Sequence, residues 1–440
     1  MPIARQVLSF LTYKLMKQTN NALKFLLAQY RAIFKHAYVK GLATAAIVTA
    51  GLAMAGTAQA AKPATGYDDY KLPSALTPAW GTSGTSPVDV TTPVTDKVYI
   101  DSTNAYITNA TITGTGAIAT ESTSGGTLFV GGTLTMDGTD LNLNGTKQAS
   151  GWAILGYDNS SATTDNSKAE GGTLRLINGA TANINAAAIQ IGNIEVNGAT
   201  VTVGGNITKK ADPDTWNNNA QLGAAASGAG NNGNLTITNG SEVNINAGGS
   251  VYGRTVSIDN SSVTFSGSTA TDKTGSAIIY AFVDAIDNAN KAATTIDGNI
   301  TFDNATVTVA EGAIGGIFGS AGKTNNTTAS KDEVNRVNID LTNTTVTIED
   351  GGTLQMGLLT KSNGDPYAAT TASQTIKNGT TITAAPIINF NAGANVTNAG
   401  TLEFVETAKD LTDAGNTNEK ETVEINLENG STITILALGC

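Results

Sequence analysis

From Leu235 to Ile245 the chain reads LTITNGSEVNI, with apolar side chains at alternate positions: Leu235 and Ile237, then Val243 and Ile245. A period of two is that of a strand with one buried face. The alternation breaks at Asn239-Gly240-Ser241, and Asn and Gly are the residues that accept positive φ at a sharp bend. The unit predicted is a short strand, a corner and a second short strand. It recurs from Leu134, Leu174, Ile194, Val256, Ile300, Ile339, Ile388 and Ile425. Most separations fall near one or two multiples of about twenty residues, the mark of an internal repeat.

Asn-Gly between alternating apolar residues is also a hairpin signal, so a hairpin array is one alternative. Isolated hairpins with strands this short are marginal, whereas copies stacked coil upon coil pair with those above and below. Their inward Leu, Ile and Val then merge into one core, each contributing about 1.5–3 kcal/mol when fully buried. Parallel crossovers are right-handed as a rule. The pattern therefore predicts an all-β chain, a right-handed parallel β-solenoid (β-helix) of about 20 residues per coil. A β-propeller, the other alternative, fits less well the half-spaced copies at Ile194 and Val256 and the lack of a recurring Trp-Asp element.

Residues 1–60 differ from the rest. They hold seven Lys or Arg, the only histidine (His36), and none of the 36 Asp and Glu. Lys35, His36 and Lys40 precede an Ala/Gly/Val-rich run from Gly41 to Gly56, and Thr57-Ala58-Gln59-Ala60-Ala61 follows. A basic flank, a short apolar run and small residues in an A-x-A arrangement predict a secretory signal peptide cleaved between Ala60 and Ala61. The run is short of the roughly 20 residues of a membrane-spanning helix, and no stop-transfer flank follows it. The long segment ahead of it is either a targeting extension or a sign that translation starts at Met16.

Five of the nine prolines fall between Ala61 and Val94, which forbids regular helix or central strand and makes 61–95 a linker or an N-terminal cap. Residues 96–440 are the predicted solenoid, with Pro93 to Gly126 expected to cover its open end. The polar stretches Tyr157–Gly172, Asn206–Asn234, Ser320–Arg336, Gly357–Ser373 and Ala408–Glu421 are expected as surface loops. Ser276 to Ala293 carries Ile278, Ile279, Phe282, Val283 and Ile286 at helical spacing, yet AIIYAFV also fits one buried strand.

Beyond residue 60 the formal charge is −18, so nucleic acid is not an expected partner. That part has no histidine, and Cys440 is its only cysteine. Serine triads, Cys-His pairs and histidine zinc sites are thereby excluded, and no disulfide framework staples it. Carbohydrate chemistry needs facing carboxylates or a placed Arg or Lys. Asp137 and Asp140 are the nearest approach to a carboxylate pair, and Asp at a corner ordinarily hydrogen-bonds its own backbone. Arg175, Arg254 and Arg336 lie in separate units away from acidic clusters, and outward strand positions such as Thr236, Asn244, Thr301 and Thr308 are uncharged. No catalytic, cofactor or metal site is expected, and the chain is not expected to be an enzyme. Trp152, Trp216, Tyr157 and Tyr252 could stack on sugars; Trp152 in GWAILGY suits the core, and Trp216, in a polar loop, is the candidate for exposed binding.

These features (the long signal peptide, the LTITNGSEVNI-type tandem units, the near absence of cysteine and the Thr/Asn/Gly composition) resemble the passenger region of type V autotransporters, the AidA- and pertactin-like adhesins. The resemblance implies a bacterial cell-surface or released protein that binds glycans or proteins on host or neighbouring cells. It also implies an outer-membrane translocator, in cis if the chain is a fragment or else in trans, because no barrel-like strands precede Cys440. A secreted polysaccharide lyase or hydrolase on a β-helix scaffold is the first alternative, and an S-layer or fibre subunit the second.

Overall fold

The computed structural model describes residues between 67 and 435, leaving out 68, 77–78, 83–86, 101–103, 122–125, 145–151, 158–170, 206–219, 225–232, 268–276, 284–295, 322–332, 359–381, 406–423 and 429. Trp216 and the Ala60–Ala61 junction lie outside the described residues, as do Cys440 and the stretch Ala408–Glu421 expected as a loop. The described strands form three parallel sheets that share one core. The first face has eleven strands, from Lys97–Ile100 to Thr432–Ile435. The second runs from Ala105–Ile107 to Thr401–Val405 and the third from Ala110–Thr113 to Glu424–Leu427, with ten strands each. This is a parallel β-solenoid, and it displaces the propeller and hairpin alternatives, both of which need antiparallel ladders.

One turn shows how the sequence sets the coil. Asn234–Thr238 lies on the third face, Glu242–Asn246 on the first and Gly249–Gly253 on the second, before Thr255–Asp259 returns to the third. The predicted unit is thus the third-face strand, its corner and the first-face strand. At this corner Asn239 has φ 58° and Gly240 φ 72°, and Asn178, Asn260, Asn304 and Asn343 take the same left-handed conformation at theirs. The residue after the bend is small and buried, as with Ala180, Ser241, Ala305 and Thr344. Its hydroxyl, where present, bonds nearby backbone: Ser241 Oγ donates to the Thr238 carbonyl, and Thr344 Oγ1 is 2.8 Å from the Thr342 carbonyl oxygen. These corners take two to four residues throughout, and the long insertions fall at the two ends of the second-face strands.

Inward columns are continuous. Val196, Ile237, Ile258, Phe302 and Leu341 stand in register on the third face, each fully or almost fully buried. Each apolar row is covered above and below, which strands of this length need.

Several expectations change. Pro93 to Gly126 does not cover the end, because it supplies Lys97–Ile100, Ala105–Ile107, Ala110–Thr113 and Ala117–Glu121, a coil in register with the next. Ahead of it the proline-rich chain makes isolated bridges, Lys71 to Val98, Val88 to Ile107 and Val94 to Ile112, and buries Leu76, Trp80, Val90 and Val94 in the core. Single bridges are what a chain interrupted by prolines can still form. Ala277–Val283 is a strand of the second face, so the helical alternative falls. Ala220–Ala224, and the strand ends of Ile314–Ala321, Glu333–Thr342 and Thr353–Leu358, occupy parts of stretches expected as loops.

Candidate functional site

Asp137 ends a third-face strand and Asp140 opens the first-face strand across the corner Gly138-Thr139. Neither carboxylate turns onto its own backbone as expected for a corner Asp. Asn178 Nδ2 donates to Asp137 at 2.7 Å, and the Thr181 hydroxyl donates to Asp140, both from the following coil. Thr181 is the register partner of Asp140 in the next coil, and Asn178 follows Ile177, the partner of Asp137. The ion pairs among the described residues are Lys71–Asp96, Lys97–Asp69 and Arg175–Glu195, none involving Asp137 or Asp140. Arg175 and Glu195 are register partners outside the third face, with Nε 2.7 Å from Oε2. That contact holds the Glu195 carboxyl below its usual range and raises Arg175. Arg254 stands just before Thr255–Asp259 and Arg336 lies in Glu333–Thr342, while Arg175, opposite Thr135 on the next coil, is paired with Glu195. Among the described residues no cluster of His, Cys, Asp and Glu could hold a metal ion.

The aromatic candidates divide. Trp152 opens the second-face strand Trp152–Gly156, and Tyr157 follows it. Tyr157 packs edge-on against Tyr106 and Phe129, which stack on each other at 4.5 Å. Tyr252 is 5% exposed, stacks on Tyr280 at 4.9 Å and belongs to a cluster with Ile278 and Phe318. It therefore presents no open sugar-stacking surface. Its ring lies flat on the sheet over Gly223, where an added Cβ would come within 2.1 Å of it. The second face thus carries apolar patches outside as well as inside, beside polar positions such as Gln190, Gln355 and Glu403.

The first face is organised differently. Two straight columns of outward positions run along it. One runs Asp140, Thr181, Thr200, Glu242, Ser262, Thr306, Thr345, Asn395, Thr432; the other runs Asn142, Asn183, Thr202, Asn244, Thr264, Thr308, Thr347, Thr397, Thr434. All are partly or well exposed. Towards its N-terminal end, Tyr67 stacks on Tyr99 and accepts a hydrogen bond from Asn144, while Ala117 and Ala119 are buried. The Tyr70 hydroxyl is raised in pKa, chiefly by burial. From Thr181 onward Glu242 is the one charged residue in the two columns.

The third face, built of equally short strands from the same coils, carries Arg175, Glu195, Asp259, Asp303 and Asp340 outward. An uncharged hydroxyl and amide array is therefore a property of one face and not of the fold. Sequence reading found outward Thr and Asn but did not separate the faces; the available signal was Thr-Val-Thr or Thr-Ile-Thr directly after the corner, at Thr200, Thr306, Thr345 and Thr432. Such an array can hydrogen-bond a neutral, repetitive surface, and it holds no nucleophile or base paired for turnover.

Comparison with protein-family models, curated proteins and solved structures returns no match for this chain.

Proposed function

We propose that this chain is an exported bacterial surface protein, adhesin-like or surface-structural, whose solenoid presents its first face for binding. The observation that carries this reading is the pair of columns, uncharged from Ser262 to Thr434, held in constant register along that face. Weak single contacts repeated at fixed spacing engage a repetitive partner together, which is how avidity arises without a deep pocket. The partner is a glycan or protein on a neighbouring or host cell, and the basic, acid-free segment ending in Ala58-Gln59-Ala60 supports export ahead of Ala61.

Two experiments test the reading. N-terminal sequencing of protein recovered outside the cytoplasm is expected to begin at Ala61, and an intact Met1 or Met16 there would refute processing. Purified protein is expected to bind cells or immobilised glycans and to lose binding on Thr308→Lys with the fold retained. Turnover of a glycan that disappears on Asp137→Ala or Arg254→Ala would replace adhesion by catalysis.

A further inference from the structure

The last five first-face strands carry outward pairs Ser262/Thr264, Thr306/Thr308, Thr345/Thr347, Asn395/Thr397 and Thr432/Thr434. Nine of these ten side chains other than Asn395 bear a hydroxyl, and none is charged. No register shift interrupts the ladder, so the ranks run straight. Strand geometry then sets a two-dimensional lattice, with a repeat of about 4.8 Å between coils and about 6.7 Å along each strand. Rows of oxygen atoms on the faces of ordinary ice repeat at two distances close to these. Resting on the reading of the first face as the binding face, we propose that it also takes crystalline water: this segment is an ice-binding surface.

Three observations make ice a ligand for this face beside the cell-surface partner. Threonine is stiff at χ1, so its hydroxyl and methyl are positioned in advance and little rotamer freedom is lost on docking. A formal charge would hold a hydration shell at odds with a crystal lattice, and acidic side chains stay at the edges of the array. Asp259 and Asp303 lie before the corner that leads onto the face, and Glu311, Glu349 and Asp350 lie after the strands. The same coils place Asp259, Asp303 and Asp340 on the outside of the third face, so the exclusion is particular to this one. Lastly, the ten outward positions contain no aromatic ring and no arginine, so the array offers a lattice only hydroxyl, methyl and amide groups.

The test uses the full exported chain, cooled against a slowly growing ice surface, with the fraction taken into ice measured beside a control protein that ice rejects. Wild type is expected to enter the ice and to slow recrystallisation. Thr308→Lys with Thr347→Lys is expected to lose both effects, whereas Thr236→Lys with Thr301→Lys on the third face keeps them. Circular dichroism and urea midpoints confirm that each variant is folded. Rejection of wild type by ice overturns the inference, as does equal uptake of the first-face variant. If ice rejects the wild type while Thr308-dependent adhesion to cells or neutral glycans persists, the ice assignment fails and the first face stands as a binding surface.

Discussion

Two buried threonines should respond in opposite directions to the same substitution. Thr120 sits on the inward side of the first face, between Ile100 and Leu143 in register, and is 0% exposed. Its Oγ1 has no hydrogen-bond partner among the described residues. Thr344 follows the bend after Asn343 and is also 0% exposed, but its hydroxyl reaches the carbonyls of Thr342 at 2.8 Å and Phe302 at 3.1 Å. A buried hydroxyl without a bond costs about 1–3 kcal/mol, and valine replaces it by a methyl of similar shape. Thr120→Val should therefore stabilise the solenoid by about 1 kcal/mol. Thr344→Val removes a made bond and should destabilise by about 1 kcal/mol, separating the variants by about 2 kcal/mol. Urea unfolding followed by circular dichroism reads the difference as a midpoint shift, provided the slopes agree. A midpoint for Thr120→Val that falls as far as that of Thr344→Val would refute the reasoning, because the Thr120 hydroxyl would then have a partner.

Ile237 is 0% exposed and stands in register between Val196 and Ile258, so Ile237→Asp puts a carboxyl where every column neighbour is aliphatic. The loss should exceed the roughly 2–5 kcal/mol of an Ile-to-Ala truncation, and an unchanged urea midpoint would show that the inward assignment is wrong. Gly240 has φ 72° and open space where a Cβ would be, so Gly240→Val should cost about 1–2 kcal/mol through backbone strain alone. The companion Gly240→Asn, which tolerates that conformation, should recover most of it in the same melt. Arg175 depresses the Glu195 pKa in the folded state, so the pair contributes above the unfolded value of about 4.3 and its contribution fades as pH falls through the lower folded value. With the side chains 40% and 33% exposed, Glu195→Gln should lower stability by less than about 1 kcal/mol at pH 7, and by nothing in strong acid, as paired melts would show.

Two of the three faces were legible in the chain because each is polar on one side. Leu235/Ile237 and Val243/Ile245 alternate cleanly, and the intervening bend announces itself through Asn239-Gly240. Parts of the second face send no such signal. Its strands AQLGA and GSVYG are buried at every position, so apolar and small residues occur without a period of two. Glycine there is a packing requirement: Gly223 lies beneath the Tyr252 ring, and Gly316 beneath Phe318, where a Cβ would approach 2.1 Å. Within the polar stretch Asn206–Asn234, Ala220–Ala224 therefore carries nothing that marks it as strand. The cross-coil bonds of Asp137 and Asp140 were hidden for another reason: their donors, Asn178 and Thr181, lie 41 residues away.

The fold itself explains the inward rows but not the choice of residues outside. Burial demands Val307, Val346 and Val396 at inward first-face positions, whereas the outward positions beside them need only suit a half-exposed strand. The third face shows how loosely that condition binds: in the same stack it accepts Arg175, Glu195, Asp303 and Asp340 outward. Solubility would also favour charge, since an uncharged, straight parallel sheet invites association. The first face nevertheless holds Thr306, Thr308, Thr345, Thr347, Thr397, Thr432 and Thr434 in two ranks. Neither core packing nor solvation requires that restriction, and the proposed binding role of the first face supplies a reason for it.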